Sequence, residues 1–196
     1  METTTTTVNL KREALKNGAI WGGINIVIFL AVWYTVPSLM TSPVYALISA
    51  IIGILLAVFF CIDMRKKAGG YWSYSEALWP ILGMFLMNMT MVFLFTNLFG
   101  KFIDPTYPAK MKEYTMESTM KMMESMGVDE TTLEKTRAST EESLEKQFNP
   151  TFAQGVQAYG LVAIMYFVFA LIFALIFKRN NPNPFAEPVD ERVQEG

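Results

Sequence analysis

Charge is absent from four long stretches of this chain and crowded between them, and that distribution constrains the fold more than any motif does. The stretches cover residues 18–36, 44–62, 77–99 and 157–177, or 19, 19, 23 and 21 residues. At a helical rise of about 1.5 Å per residue, each is long enough for a hydrocarbon core about 30 Å thick. Inside a bilayer the backbone polar groups of an isolated segment must be satisfied within it, which makes each run a predicted helix. The apolar fraction of 52% is close to that of ordinary soluble chains, so the mean alone conceals the pattern.

Lys and Arg near the span ends predict the threading. Lys11, Arg12 and Lys16 precede the first run, Arg65, Lys66 and Lys67 follow the second, and Lys178 and Arg179 close the fourth. The turn from Thr35 to Pro43 carries no charge. One orientation satisfies all of these: both termini and the 65–76 loop in the cytoplasm, the 35–43 turn and residues 100–156 outside. A basic flank before an apolar run also describes a secretory signal. This first run exceeds the usual h-region of about 7–15 residues and no A-x-A cleavage site follows, so a retained span is the expectation. The Thr-rich residues 1–8 and the Pro- and Glu-rich residues 180–196 read as disordered tails.

Residues 100–156 are too long for a plain connection and should carry structure of their own. Pro105 and Pro108 end the third helix, and a helical pattern runs from Ala109 to about Met126 with Met116, Met120 and Met123 on one face. Gly127 fits a helix stop and Asp129 an N-cap; Leu133, Arg137, Thr140, Leu144 and Phe148 then form a thin stripe ending at Asn149-Pro150. The result is an expected helical hairpin whose apolar faces pair with each other or with a partner. Met116, Met120, Met123, Leu133 and Leu144 are the candidate partner-binding residues. Clustered thioethers outside the cytoplasm also suit Cu(I). With no His in the chain and no Cys nearby, an adaptable apolar face is the better reading of the six methionines between Met111 and Met126.

The spans contain few polar groups. Asn25, Asn88 and Thr90 lie at hydrocarbon depth and are read as interhelical hydrogen-bonding residues rather than a transport path. Gly18 and Gly22, Ser49, Gly53 and Ala57, and Ala170 and Ala174 recur at spacings that allow close helix contact. Pro80 is expected in the first turn of the third helix, with Glu76 at its start. Trp21, Trp33, Tyr34, Tyr71, Trp72 and Tyr74 read as interfacial anchors. The absence of His removes Ser-His-Asp triads and most zinc sites, the single Cys61 removes intrachain disulfides, and a net charge of −2 gives no footprint for nucleic acid. No catalytic, cofactor or metal constellation is expected.

The loop after the second run reads Gly69-Gly70-Tyr71-Trp72-Ser73-Tyr74, with Ala77 three residues on. This GG-aromatic-x-S-aromatic-x-x-A pattern resembles the signature of the bacterial membrane proteins grouped as domain-of-unknown-function family 4199. The basic N-terminal flank, the glycines of the first span, the Asp104-Pro105 exit, the Glu/Lys/Met-rich insert and the terminal Lys178-Arg179 are similar too, over roughly residues 10–180. The resemblance implies a Gram-negative cytoplasmic membrane protein with four spans, and brings no activity and no functional residues.

The expected fold is therefore an all-α integral membrane protein of four transmembrane helices, with an extracytoplasmic helical hairpin inserted between the third and fourth. The expected units are a cytoplasmic tail at 1–17, spans within 18–99, the hairpin at 100–156, a span at 157–177 and a cytoplasmic tail at 178–196. The function expected is a non-catalytic scaffold or accessory subunit in the bacterial inner membrane. Its partners would be the bilayer and either a second copy or another membrane or periplasmic protein, bound through the hairpin. A small oligomeric transporter or channel is the alternative, with Asn25, Asn88 and Thr90 as lining; an enzyme of lipid or envelope metabolism is the third class.

Overall fold

A computed structural model describes residues 9–148 and 150–182. The reading of residues 1–8 and of nearly all of 180–196 as disordered, and the stop at Asn149, lie outside the described residues. Six α-helices follow in order: α1 (Leu10–Thr35), α2 (Pro43–Lys67), α3 (Tyr74–Leu98), α4 (Tyr107–Ser125), α5 (Glu130–Phe148) and α6 (Phe152–Phe177). A short 3₁₀ turn, Pro37–Thr41, links α1 to α2, and a π-helical turn, Phe99–Ile103, prolongs α3. Four segments are long and apolar enough to cross a membrane: α1, α2, α3 with its π turn, and α6.

Each of these helices outruns its apolar stretch because a polar residue caps it further out. The Asn9 side chain accepts the Arg12 amide at 3.3 Å and starts α1 well before Gly18. Ser42 caps α2 ahead of Pro43, whose missing amide proton would have no partner in a first turn anyway. Ser73 with Glu76, and Thr151 with Gln154, form reciprocal capping boxes at α3 and α6. The early start of α3 moves Pro80 out of its expected place. It is the seventh helical residue, beyond the first turn, where it removes one amide from the helical ladder.

α3 is the centre of the bundle, packed on α1 along one side and on α6 along another. Gly18 sets the α1–α3 approach: a Cβ there would lie 2.5 Å from the Met84 carbonyl oxygen and 2.7 Å from Met87 Cβ. α2 joins mainly through its C-terminal half, where Ala57, Phe60, Cys61 and Met64 are buried. These meet Trp21, Ile81, Met84 and Phe85, with Ala170 and Ala174 of α6, in a closely packed core at the end near the α2–α3 loop. A second cluster lies at the other end, where Phe29, Trp33, Phe99 and Met111 gather with Tyr107 and Phe148. Its rings meet mostly edge to face, Phe29 and Phe99 at 5.2 Å between centroids.

Three of the expected interfacial anchors are core residues instead. Trp21, Trp33 and Trp72 are almost wholly covered by protein, whereas Tyr34 and Tyr71 are exposed as expected. An indole has an apolar body and one donor, so it suits a buried site with a single acceptor as well as it suits a headgroup layer. Trp33 and Trp72 have found such acceptors, as described next.

Candidate functional site

The α2–α3 loop owes its shape to the paired glycines. Gly69 and Gly70 adopt φ of +90° and +84°, conformations that side chains with a Cβ rarely take. They return the chain so that the Gly70 amide donates to the Arg65 carbonyl at 2.9 Å and the Gly69 amide to Lys66 at 3.1 Å, a Schellman ending for α2. The same turn drives Trp72 into the bundle. Its Nε1 donates to the Phe177 carbonyl at 2.7 Å, and Trp72 and Arg179 exchange backbone hydrogen bonds at 3.0 and 2.9 Å. The Arg179 guanidinium stands 5.3 Å from the Tyr71 ring centre. The residues that carry the family resemblance thus clasp the C-terminus of α6.

Beside the clasp, Lys67 donates to Glu13 at 2.6 Å and to Asp63 at 2.7 Å, and Asn17 Nδ2 donates to Asp63 at 3.4 Å. The ion pairs tie α1 to α2, and with the clasp they bring the basic flanks of α1, α2 and α6 to one end of the bundle. Midway along the helices Asn25 Nδ2 donates to Asn88 Oδ1 at 2.9 Å, the interhelical bond expected of those residues. Thr90 donates to the Leu86 carbonyl at 2.7 Å, and its hydroxyl also meets Tyr159 of α6 at 2.7 Å. At the far end Trp33 Nε1 donates to Asp104 at 2.9 Å. The Thr106 hydroxyl, helped by the Trp33 indole and the Thr106 amide, holds the Asp104 carboxyl below its ordinary range. Burial pushes the nearby Tyr107 phenol up.

The bundle is closed at the clasp and open at the other end. The first half of α2 and much of α6 turn large apolar residues outward, among them Leu47, Ile51 and Leu55 of α2 and Leu161, Ile164 and Met165 of α6. Between these helices lies a cleft of about 1460 Å³, floored by α1 and α3 and roofed by the start of α4 and the end of α5. Asn25 and Asn88 line its deep end; Lys101, Lys112 and Gln147 line it near the roof. Its described lining includes no Asp or Glu. Lys112 pairs with Glu145 of α5, and Lys101 stands 5.5 Å from the centre of the Phe102 ring.

α4 and α5 lie side by side, joined across Gly127 (φ +73°), and Ser118 of α4 donates to the Thr41 carbonyl of the 3₁₀ turn at 3.0 Å. The Asp129 side chain starts α5 by accepting the Thr132 amide at 3.0 Å and the hydroxyls of Thr131 and Thr132. These donors, the Thr131 hydroxyl first, pull its carboxyl down to about 2. Met116, Met120, Met123 and Leu133 are half-buried on these helices, and Leu144 is 5% exposed, covered by the chain itself. The large apolar residues that α4 and its C-terminal cap turn outward are instead Met122 and Met126. Sequence reasoning did not single out the cleft residues Lys101, Lys112, Gln147 and Tyr159. Nothing in residue spacing says which helices splay; the one available signal was Tyr159, a hydroxyl within a charge-free run that needs a partner, and it was not read.

No curated protein and no solved structure matches this chain. The family profile described as "Protein of unknown function (DUF4199)" matches residues 16–179, the stretch that holds the clasp, the cleft and the polar contacts other than Glu13. The chain belongs to the DUF4199 family.

Proposed function

We propose that this protein is a non-catalytic, four-span protein of the bacterial cytoplasmic membrane, serving as a scaffold or accessory subunit. α1, α2, α3 and α6 are its spans, and α4 with α5 is an extracytoplasmic helical hairpin. The gathering of three basic flanks at the clasp end supports an orientation with both termini and the α2–α3 loop in the cytoplasm. One observation carries the non-catalytic reading. The ionisable groups that meet beside the clasp, Glu13, Asp63 and Lys67, are tied up in ion pairs with one another, while the described lining of the cleft offers amides, hydroxyls and lysines and no carboxylate of its own. Such a site can hold a molecule but has no acid–base pair with which to transform it.

The hairpin remains the proposed partner surface, with its centre shifted from the covered Leu144 to the exposed tip at Met122 and Met126. Two measurements test this. In a Cys61→Ser background, a membrane-impermeant maleimide applied to intact cells should label a cysteine at Ser125 and spare one at Ser75; the reverse overturns the orientation. Photo-crosslinkers at Met122, Met126 and, for comparison, Met116 should then give one abundant adduct from native membranes. A well-expressed protein that yields none would remove the hairpin as a binding surface.

A small oligomeric transporter is the second reading, favoured by a cleft that reaches the Asn25–Asn88 pair at mid-bundle. Against it, the path beyond that pair is filled by Trp21, Met84 and Phe85. Flux into liposomes that responds to Asn88→Leu would favour transport over the scaffold.

A further inference from the structure

We propose that the cleft between α2 and α6 holds one anionic phospholipid of the extracytoplasmic leaflet, its headgroup at Lys101 and Lys112 and its acyl chains running inward to Asn25 and Asn88. The proposal rests on the membrane reading above and adds an occupant to it.

The depth of the cleft fits a single leaflet. The apolar segment Tyr74–Ile103 is 30 residues long, and Asn88 is at its middle. At about 1.5 Å per residue the whole segment spans roughly 45 Å, the thickness of a bilayer with its headgroup layers. From Asn88 to Lys101 is then roughly 20 Å, from the midplane to the headgroup layer. The cleft therefore begins where one leaflet begins and ends where it ends.

Its volume and chemistry are graded in the same direction. About 1460 Å³ exceeds the roughly 300–1,000 Å³ of usual small-molecule pockets, and the cleft opens sideways between two helices that face hydrocarbon. Ile52, Val92 and Val162 furnish apolar wall along its length. The cationic groups among its liners, Lys101 and Lys112, are at the headgroup end; Lys112 is paired with Glu145 of α5, so Lys101 carries the unbalanced positive charge of the lining at that level. Lys101 enters none of the ion pairs among the described residues, and Gln147 adds an amide donor to the lining. A phosphodiester gains charge-assisted hydrogen bonds there, which a zwitterionic headgroup would share with its own ammonium. At the deep end Asn25 and Asn88 satisfy each other in part, so chain termini meet a closed pair rather than bare amides.

The test uses the full chain in nanodiscs of phosphatidylglycerol and phosphatidylcholine in equal parts, released into the mass spectrometer. One phosphatidylglycerol retained per chain is expected, in preference to phosphatidylcholine. Lys101→Gln, which breaks no ion pair among the described residues, should lower that preference about tenfold, the scale of one charge-assisted contact. Lys112→Gln should lower it further, and Ser49→Trp, on the α2 wall, should abolish retention while leaving both charges in place. Equal retention of the two lipids, or a preference untouched by Lys101→Gln, overturns the proposal. Lipid-free pairs of chains would overturn it also, and assign the cleft to a second copy. Alkaline extraction of the source membranes separates the two levels of inference: a chain released by it refutes the membrane reading itself, whereas a chain that resists extraction and holds no lipid refutes only the occupant.

Discussion

Gly18 and Gly23 lie on the same helix and give a measurement with its own control. A Cβ at Gly18 would lie 2.5 Å from the Met84 carbonyl oxygen, whereas one at Gly23 would meet nothing within 4 Å. A relaxed carbon–oxygen contact is about 3.3 Å, so Gly18→Ala must push α1 and α3 apart by roughly 0.8 Å at that level. The obstacle is backbone, which cannot step aside as a side chain can, so the upper part of the usual overpacking cost applies, about 2–3 kcal/mol. Both substitutions gain the same helix preference of alanine over glycine, about 0.8–1 kcal/mol. Gly23→Ala should therefore stabilise by up to about 1 kcal/mol and Gly18→Ala destabilise by about 1–2 kcal/mol. Helix preference cancels in the difference, which isolates the close approach. Gly22→Ala should fall between them, because its Cβ would lie 3.0 Å from Met91 Cβ, a smaller overlap than the one at Gly18. Equilibrium unfolding in mixed micelles of rising SDS fraction, followed by tryptophan fluorescence, reads these differences. If Gly18→Ala is as stable as Gly23→Ala, the α1–α3 packing described above is refuted.

Trp72→Phe keeps the ring but removes the donor to the Phe177 carbonyl, and should cost about 2 kcal/mol through the lost bond and the stranded acceptor; a thermal midpoint in detergent equal to that of the wild type would sink the clasp. For Asp129 the folded pKa, about 2, is depressed below the ordinary carboxylate value. Its stabilisation of α5 is thus complete above about pH 3.9 and is lost as pH falls toward 2. The nitrogen shift of the Thr132 amide should titrate with a midpoint near 2, and a midpoint at the ordinary value would show that the cap is not formed.

The four long apolar helices were legible because length without charge is a property that a linear sequence displays directly. Asn25 and Asn88 were legible as interhelical hydrogen-bonding residues because an amide within an apolar helix needs a partner, but residue spacing did not show that they meet each other. The tryptophans were misplaced because composition cannot distinguish an indole at a headgroup from one with a buried acceptor, and the acceptor of Trp72 lies 105 residues away. Pro80 was misassigned because the capping box at Ser73 overrides the onset of hydrophobicity as the start of α3. The cleft was invisible for a different reason. α2 and α6 are apolar all round, so neither carries a stripe that marks its packed side. Which half of each helix is covered depends on the small residues Ala57, Ala170 and Ala174 of the closed end, and on their neighbours in three dimensions.

The clasp also has a place in time. A chain is made from its N-terminus, so the α2–α3 loop emerges long before the segment it grips. Until residues 152–179 have been synthesised, the Trp72 indole lacks its acceptor and the edge formed by its backbone has no mate. Every earlier helix can be in place and this end of the molecule will still be unfinished. The glycine-bearing loop is therefore a keyhole cut early for a key delivered more than a hundred residues later, and its occupation marks a polypeptide synthesised at least as far as Arg179.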